Sequence, residues 1–497
     1  MKKLLSLMLC IVFVCLTLVG CGRDPIGDFL KNYNTDAKTD DQIEKLNFYI
    51  ITGDETSPEA KITVPQNINA YLKEKYEIEL NVVYCTAAEY DATLTAAMSK
   101  TNEAERPDIV LINSEELFNS LSNSLVPLND FYNHRDFKKI NTIVDKNLLA
   151  ASAVTSSDKA NSATYFTVPN NHVIGEYKYV VIDKAMARDT LHFSNEESAA
   201  MTTEESLAEL VEAIGTYYDS DFCSSTLSKE EFVNQYVKVV SGSYADKTLL
   251  EYNVASEGDI VNGASTVNFV NINAYPNATS TEAFSSAFAI VKHLDDAGKS
   301  NTEEKQAELD NHYTKCMKII YALNTDAQLK NMLQYGYVGT NYRFIKNNKN
   351  ENTNYIKLEK GAEVVYQMNP VYTGNLFISY YCEEIGWNET LYNNIIKQNA
   401  DAKTPNQKLA AELATLSTDT VTVNMNSVVD LPSFGSVYSD IVFTSWTSSN
   451  AEVAVVSEDG VVTFLQPESD TTVTVSGVLE CAGYTATVEF KFKVTAE

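Results

Sequence analysis

Apolar positions change their period several times along this chain, and each change marks a different part. Behind Lys2 and Lys3, residues 4–18 are almost all apolar and end at Leu18-Val19-Gly20-Cys21. A basic start, a short apolar core and small residues before a cysteine make a bacterial lipoprotein signal peptide over 1–20, with lipid expected on the Cys21 sulfur. The run is shorter than the ~20 residues of a bilayer-spanning helix, so it predicts cleavage and not a retained span. Residues 21–44 are polar and read as a flexible tether.

From residue 46 strand-like and helix-like periods alternate. Residues 46–52 (LNFYIIT), 79–85 (ELNVVYC) and 108–112 are short apolar runs that predict strands. Between them Ile62, Ile68, Tyr71 and Leu72 recur at helical spacing. Thr86 and Glu89 read as a capping box before a helix faced by Tyr90, Leu94, Ala97 and Met98, and Ser114 with Glu115 and Glu116 opens another. The alternation predicts a mainly parallel sheet with helices on its faces. Residues 161–275 continue as mixed α/β, with a strand near 177–182 and a helix near 206–215.

Residues 279–345 read as helical. Phe284, Phe288, Val291 and Leu294 would line one face, and Tyr313, Met317, Ile320 and Tyr321 the next. Thr325-x-x-Gln328 would cap a third helix ended by Gly336. Residues 401–419 read as a second linker, part helical. After 420 the period becomes two (Val421/Val423/Met425 and Val488/Phe490/Phe492/Val494), and Glu458-Asp459-Gly460 reads as a hairpin turn. That predicts an antiparallel sandwich.

Charge narrows the partners. The 497 residues carry a net charge of −29, which repels nucleic acid and anionic lipid headgroups. Of eight cysteines, Cys10 and Cys15 leave with the signal and Cys21 takes the lipid. Cys85, Cys223, Cys316, Cys382 and Cys481 remain, odd in number and without C-x-x-C, which predicts scattered thiols and no disulfide framework. No two of the five histidines stand three or four residues apart, and no P-loop, G-x-S-x-G or G-x-G-x-x-G occurs. Asp219, Asp221 and Glu230 match a calcium loop faintly, but Ser224 stands where its glycine is required; a capping box Ser228-x-x-Glu231 accounts for them better. No metal, cofactor or catalytic residue is expected, although the acidic residues are too numerous for spacing to exclude a glycosidase pair.

Binding has more support. In open α/β sheets ligands settle beyond the carboxyl ends of the strands. Gly53 and Ser114 stand at two such ends, where free N–H groups would meet hydroxyl or carboxylate oxygens. Tyrosine is plentiful, 29 against two tryptophans, and offers a flat face with a hydroxyl.

Residues 46–130 resemble the first lobe of the extracellular solute-binding proteins of carbohydrate-type ABC importers (family 1). The resemblance rests on LNFYII, on the helix ending at Ala97-Met98, on Arg106-Pro107-Asp108-Ile109-Val110 and on Leu125-Val126-Pro127-Leu128-Asn129-Asp130. Tyr165-Phe166-Thr167-Val168-Pro169 is similar to the family's crossing to a second lobe. The segments Ala322-Leu323-Asn324-Thr325-Asp326 to Tyr342 and Tyr372-Thr373-Gly374-Asn375 resemble its Gram-positive lipoproteins. Trp446-x-Ser448-Ser449-Asn450 with Gly460-x-Val462 resembles a bacterial Ig-like domain of group 2, in which the tryptophan packs in the core.

The resemblance implies an α/β, bilobal, periplasmic-binding-protein-like fold with a C-terminal all-β Ig-like sandwich. Its solute-binding part would span 45–400: a first lobe of 45–160 and 276–345, and a second of 161–275 and 346–400. A linker 401–419 and the sandwich 420–497 would follow. It implies a lipid-anchored, extracytoplasmic monomer that captures an oligosaccharide between two lobes for ABC permease subunits and performs no chemistry on it. Ligand contacts are expected from Gly53, Ser114, Asn170 and Asn171, with Tyr275, Tyr337, Tyr372 and Trp387 as aromatic walls. A surface adhesion or polysaccharide-holding lipoprotein without transport is the alternative.

Overall fold

The computed structural model describes residues 43–155, 163–175, 177–183, 190–192, 204–242, 267–271, 276–294, 302–416, 419–431, 438 and 440–496. The signal, the tether up to residue 42, Cys21 and Tyr275 lie outside them. The chain divides into two units: residues up to 143 with 166–170 and 286–389, and residues 144–165 with 171–285 and 390–497.

The first unit is built on a five-stranded sheet of β1 (Glu44–Ile51), β2 (Ile78–Cys85), β3 (Ile109–Ile112), β4 (Thr167–Pro169) and β5 (Ala287–Ile290), in the order β2-β1-β3-β5-β4. β2 and β3 pair parallel to β1, while β5 runs antiparallel to both β3 and β4. The helices α1 (Ala60–Tyr76), α2 (Tyr90–Met98) and α3 (Glu115–Leu121) follow β1, β2 and β3, as the alternating pattern predicts. Glu89 accepts from the backbone N–H and hydroxyl of Thr86 just before α2, and Tyr90, Leu94 and Ala97 are its buried face.

β5 corrects the helical reading of 279–294. A short helix, Ser280–Phe284, capped by Thr279, gives way to a strand whose four residues are all buried. A continuous apolar run inside a sheet covered on both faces carries no period to distinguish it from a buried helix. The helix α4 (Glu303–Thr325) does carry the expected Tyr313, Met317 and Ile320 face. The next helix, α5 (Ala327–Tyr335), is capped by Asp326, which accepts from the N–H groups of Gln328 and Leu329; Thr325 instead donates to Tyr321 O. Gly336 ends it at φ +83°.

Residues 346–389 fall in the first unit, not with the second lobe. The reason is a set of hydrogen bonds from that stretch to the loop after β1 and to α5, described below.

In the second unit, strands Tyr177–Asp183, Val237–Gly242 and Val267–Asn271 form an antiparallel sheet with the first in the middle. Helices Glu204–Tyr218 and Lys229–Tyr236 meet through Leu210, Ile214 and Phe232. Ser228 and Glu231 form the expected reciprocal cap, and Lys229 pairs with Asp219 at 2.6 Å.

The C-terminal residues form an all-β module of a four-stranded and a three-stranded sheet around one core. Gly460 makes the turn between Ala454–Val456 and Val461–Phe464 at φ +83°. Two expectations change here. Val421–Asn424 pairs parallel, not antiparallel, with the last strand, Tyr484–Thr495. The expected helical part of 401–419 is Pro405–Leu413, with a full Thr404–Gln407 capping box, but it is not a spacer: its Leu409 sits in the module's core beside Leu413 and Leu416. Trp446 is half-buried against Phe443 at 4.0 Å and lies over Gly477, where a Cβ would come within 2.5 Å of the ring. It packs against the core from its edge, where a fully buried core position was expected. The five cysteines are free thiols.

Candidate functional site

The site candidate is the edge of the first unit's sheet where β1, β2, β3 and β4 end and β5 begins. β1 and β3 pair only at Phe48–Ile109 and Tyr49–Val110. Beyond that the buried hydroxyl of Tyr90 takes the place of a ladder partner: it donates to Leu111 O (2.8 Å) and accepts from Leu111 N–H (2.9 Å), with Tyr49 O at 3.2 Å. A helix side chain thus satisfies the backbone where the strands part.

Four expected residues gather at this edge. Gly53 follows β1, but its N–H donates to Gln367 O at 2.8 Å and is not free for a ligand. Gln367 O also accepts from Thr52 and Thr56 (3.2 and 3.0 Å), and Ser57 binds Val365 O and Glu363 O. A Cβ on Gly53 would stand 2.7 Å from Gln367 Oε1, so the glycine supplies room for this crossing segment. Ser114 caps α3, its Oγ accepting from Leu117 N–H at 3.1 Å. Asn170, fully buried after β4, donates through its side chain to Ser286 Oγ (3.0 Å), which donates to Val371 O (2.6 Å). Tyr372 follows in the turn Pro370–Thr373; it is half-buried, and burial raises its phenol above the usual range.

The other expected residues are elsewhere. Asn171 belongs to the second unit, where its Oδ1 accepts from Asp145 N–H at 2.7 Å. Tyr337 follows α5, its backbone bonded to Asn341. Trp387 is 4% exposed, its backbone paired with Cys382 and its ring 6.1 Å from Tyr381; a core position replaces the expected aromatic wall.

Sequence reasoning missed Asn113 and Ser286. Asn113 stands between β3 and Ser114, and its Oδ1 is buried with no hydrogen-bond partner among the described residues. The adjacent Ser114 could have pointed to it. Ser286 was hidden by the helical reading of its segment.

α5 fixes the turn that carries Tyr372. Residues 329–335 are all buried, including Lys330, Asn331 and Gln334. Lys330 Nζ donates to Pro370 O (3.1 Å), Thr373 Oγ1 (3.0 Å) and Gln334 Oε1, and burial pulls its pKa well below the usual lysine range. Asn331 binds Ile378 O and Tyr380 N–H. Gly374, at φ +108°, approaches Leu323 O so closely that a Cβ would be 2.3 Å away. The two segments resembling Gram-positive lipoproteins are thus packed on each other.

The edge side chains Thr52, Thr56, Asn113, Ser114, Asn170, Ser286 and Tyr372 are hydroxyls and amides, with no formal charge. Such a set suits hydrogen-bond exchange with a neutral, hydroxyl-rich ligand and offers no nucleophile–base pair. No group of three or more His, Cys, Asp or Glu side chains fit to hold a metal occurs among the described residues.

No protein-family model matches the chain, and no curated protein does. Among solved structures, the N-glycan transport solute binding protein NgtS of Streptococcus pneumoniae is similar at 15% identity and a TM-score of 0.43, over 73% of this chain and 83% of that one. An extracellular solute-binding protein from Bifidobacterium longum subsp. infantis is similar at 11% identity and a TM-score of 0.33, over 72% and 82%. A sugar transporter protein from Rhizobium etli in an open conformation has 10% identity and a TM-score of 0.26, over 72% and 100%. These likenesses are distant.

Proposed function

We propose that this protein is a lipid-anchored receptor that works outside the cytoplasm, binds an oligosaccharide and delivers it to the permease of an ABC importer. The observation that carries the ligand class is the uncharged row of hydroxyl and amide groups at the carboxyl edge of the first unit's sheet, with Asn113 Oδ1 buried there without a partner among the described residues. A sugar hydroxyl is the donor such an oxygen requires, and Tyr372, in the turn whose Val371 O accepts from Ser286, supplies an aromatic ring to the same edge. The signal-and-cysteine pattern ending at Cys21 supports the anchor.

Calorimetric titration of the protein with neutral oligosaccharides, Man5GlcNAc among them, and with peptides tests the reading. Saturable binding of a sugar, weakened about tenfold or more by Asn113→Ala (~1.4 kcal/mol per decade), is expected. Peptide binding alone, or no binding across both classes, overturns it. Cys21→Ser should release the protein from the membrane fraction.

A further inference from the structure

A buried polar cluster in the second unit is unexplained by solute binding. Lys408, on the helix Pro405–Leu413, has a side chain with 0% exposure, and its Nζ lies 2.8 Å from Asp440 Oδ2. The same Asp440 oxygen accepts from Asn277 Nδ2 at 2.9 Å. Cys481 Sγ is 3.6 Å from it, and the Tyr438 ring centroid stands 5.6 Å from the lysine nitrogen. Asn277 is held next to the start of the lysine's helix: it bridges Lys403, while Lys403 N–H donates to Pro276 O at 3.0 Å and Ala278 N–H to Lys403 O at 2.9 Å. Asn277 Oδ1 and Asp440 Oδ1 are both buried without a hydrogen-bond partner among the described residues.

As a plain ion pair this arrangement is costly, because two buried oxygens go unused around a desolvated charge pair. We propose that the cluster is the site of an intramolecular amide cross-link between Lys408 and Asn277, formed with Asp440 as proton carrier. Burial pushes the Asp440 carboxyl up, but Lys408 and Asn277 outweigh it and hold it below the usual range, so it stands as a carboxylate base. It takes a proton from the Lys408 ammonium, and the freed Nζ attacks Asn277 Cγ. The tetrahedral adduct collapses as the Asn277 amide nitrogen leaves, protonated through Asp440. One C–N bond forms and one breaks; of the three Lys408 ammonium protons one stays on the new amide and two pass through Asp440 to the leaving nitrogen, which departs as ammonium with the positive charge, so Asp440 is restored as a carboxylate and nothing is oxidised or reduced. The product is a neutral amide in place of a buried charge. Sequestration beside a proton carrier is what such an intramolecular step needs.

Mass spectrometry of the full-length protein under denaturing conditions tests it. The expected results are a loss of one ammonia and a joined pair of tryptic peptides carrying Asn277 and Lys408. Asp440→Ala and Lys408→Arg should each restore the full mass and separate peptides. An unmodified wild-type peptide pair overturns the proposal, and so does a loss of water, which would put the bond on Asp440 itself. The wild-type measurement decides even where a variant misfolds.

Discussion

His312 shows how a single residue can bind a sheet to a helix. On α4, it faces two carboxylates at the amino-terminal end of β1 and β3: Nδ1 is 2.6 Å from Glu44 Oε1, and Nε2 is 3.1 Å from Asp108 Oδ1. Both ring nitrogens face acceptors, so both carry protons. Burial opposes the charge, but hydrogen bonds with Asp108, Cys316 and Glu44 outweigh it and lift the imidazole from 6.5 to about 12. The hydrogen bond from His312 likewise lowers Glu44 from 4.5 to about 2, helped by Lys315 and opposed by burial. A raised base stabilises fully below its unfolded pKa and loses that contribution as pH rises towards its folded one; a lowered acid loses its share as pH falls. The contribution is therefore greatest between about pH 4.5 and 6.5, fades upward through His312 towards about 12 and downward through Glu44 towards about 2. Urea unfolding at pH 6 and pH 9 should show wild type losing stability while His312→Gln, weaker by about 2 kcal/mol at pH 6, changes little. Equal slopes for both proteins would remove His312 as the source. Tyr90→Phe makes a similar point without charge: it strands the Leu111 N–H and should cost about 1–3 kcal/mol in the same assay.

At the scale of elements, legibility followed surface exposure. α2 and β1 were readable because one has a polar face to set its period and the other a turn to set its end. β5 was not, since Ala287-Phe288-Ala289-Ile290 is buried throughout and its neighbour Phe284 falls at helical spacing from it. The site suffered accordingly: Gly53 and Ser114 were placed correctly at strand ends, but Ser286 was lost with β5, and only the structure shows that Gln367 takes the Gly53 N–H. Distance along the chain hid the rest, because Lys330 and Thr373 meet across a separation no local pattern reports. That contact makes α5 a positioning element for Tyr372. Lys330→Met keeps the volume and loses the bonds to Pro370 O and Thr373, so the melting temperature should hold within a few degrees while sugar affinity falls about tenfold (~1.4 kcal/mol). Gly374→Ala is harsher. Its Cβ would collide with Leu323 O at φ +108°, so both stability and affinity should drop, and unchanged calorimetry would show that the turn is not held as described.

At the scale of the whole molecule, the boundary before the β-module is set by packing and not by composition. The polar stretch 401–419 looks like a spacer, yet Ala402 is 0% exposed in a cluster with Leu148, Ile174 and Ala278, while Leu409 is 2% exposed in the module's own core. The division therefore falls near Thr404, between a residue committed to the α/β part and a helix committed to the sandwich. Two truncations separate these assignments. A chain ending at Thr404 keeps the Lys403 backbone bonds to Pro276 and Ala278 and removes the helix with its module, so it should remain monodisperse on size exclusion. A chain ending at Leu416 keeps Leu409, Leu413 and Leu416 without the core they fill, exposing an apolar face, and should associate or precipitate. Sugar affinity should survive the first cut, since the candidate site lies in the first unit. A large loss of affinity would show that the module contributes to ligand binding, and equal behaviour of the two truncations would mean that the leucine face is not part of the module's core.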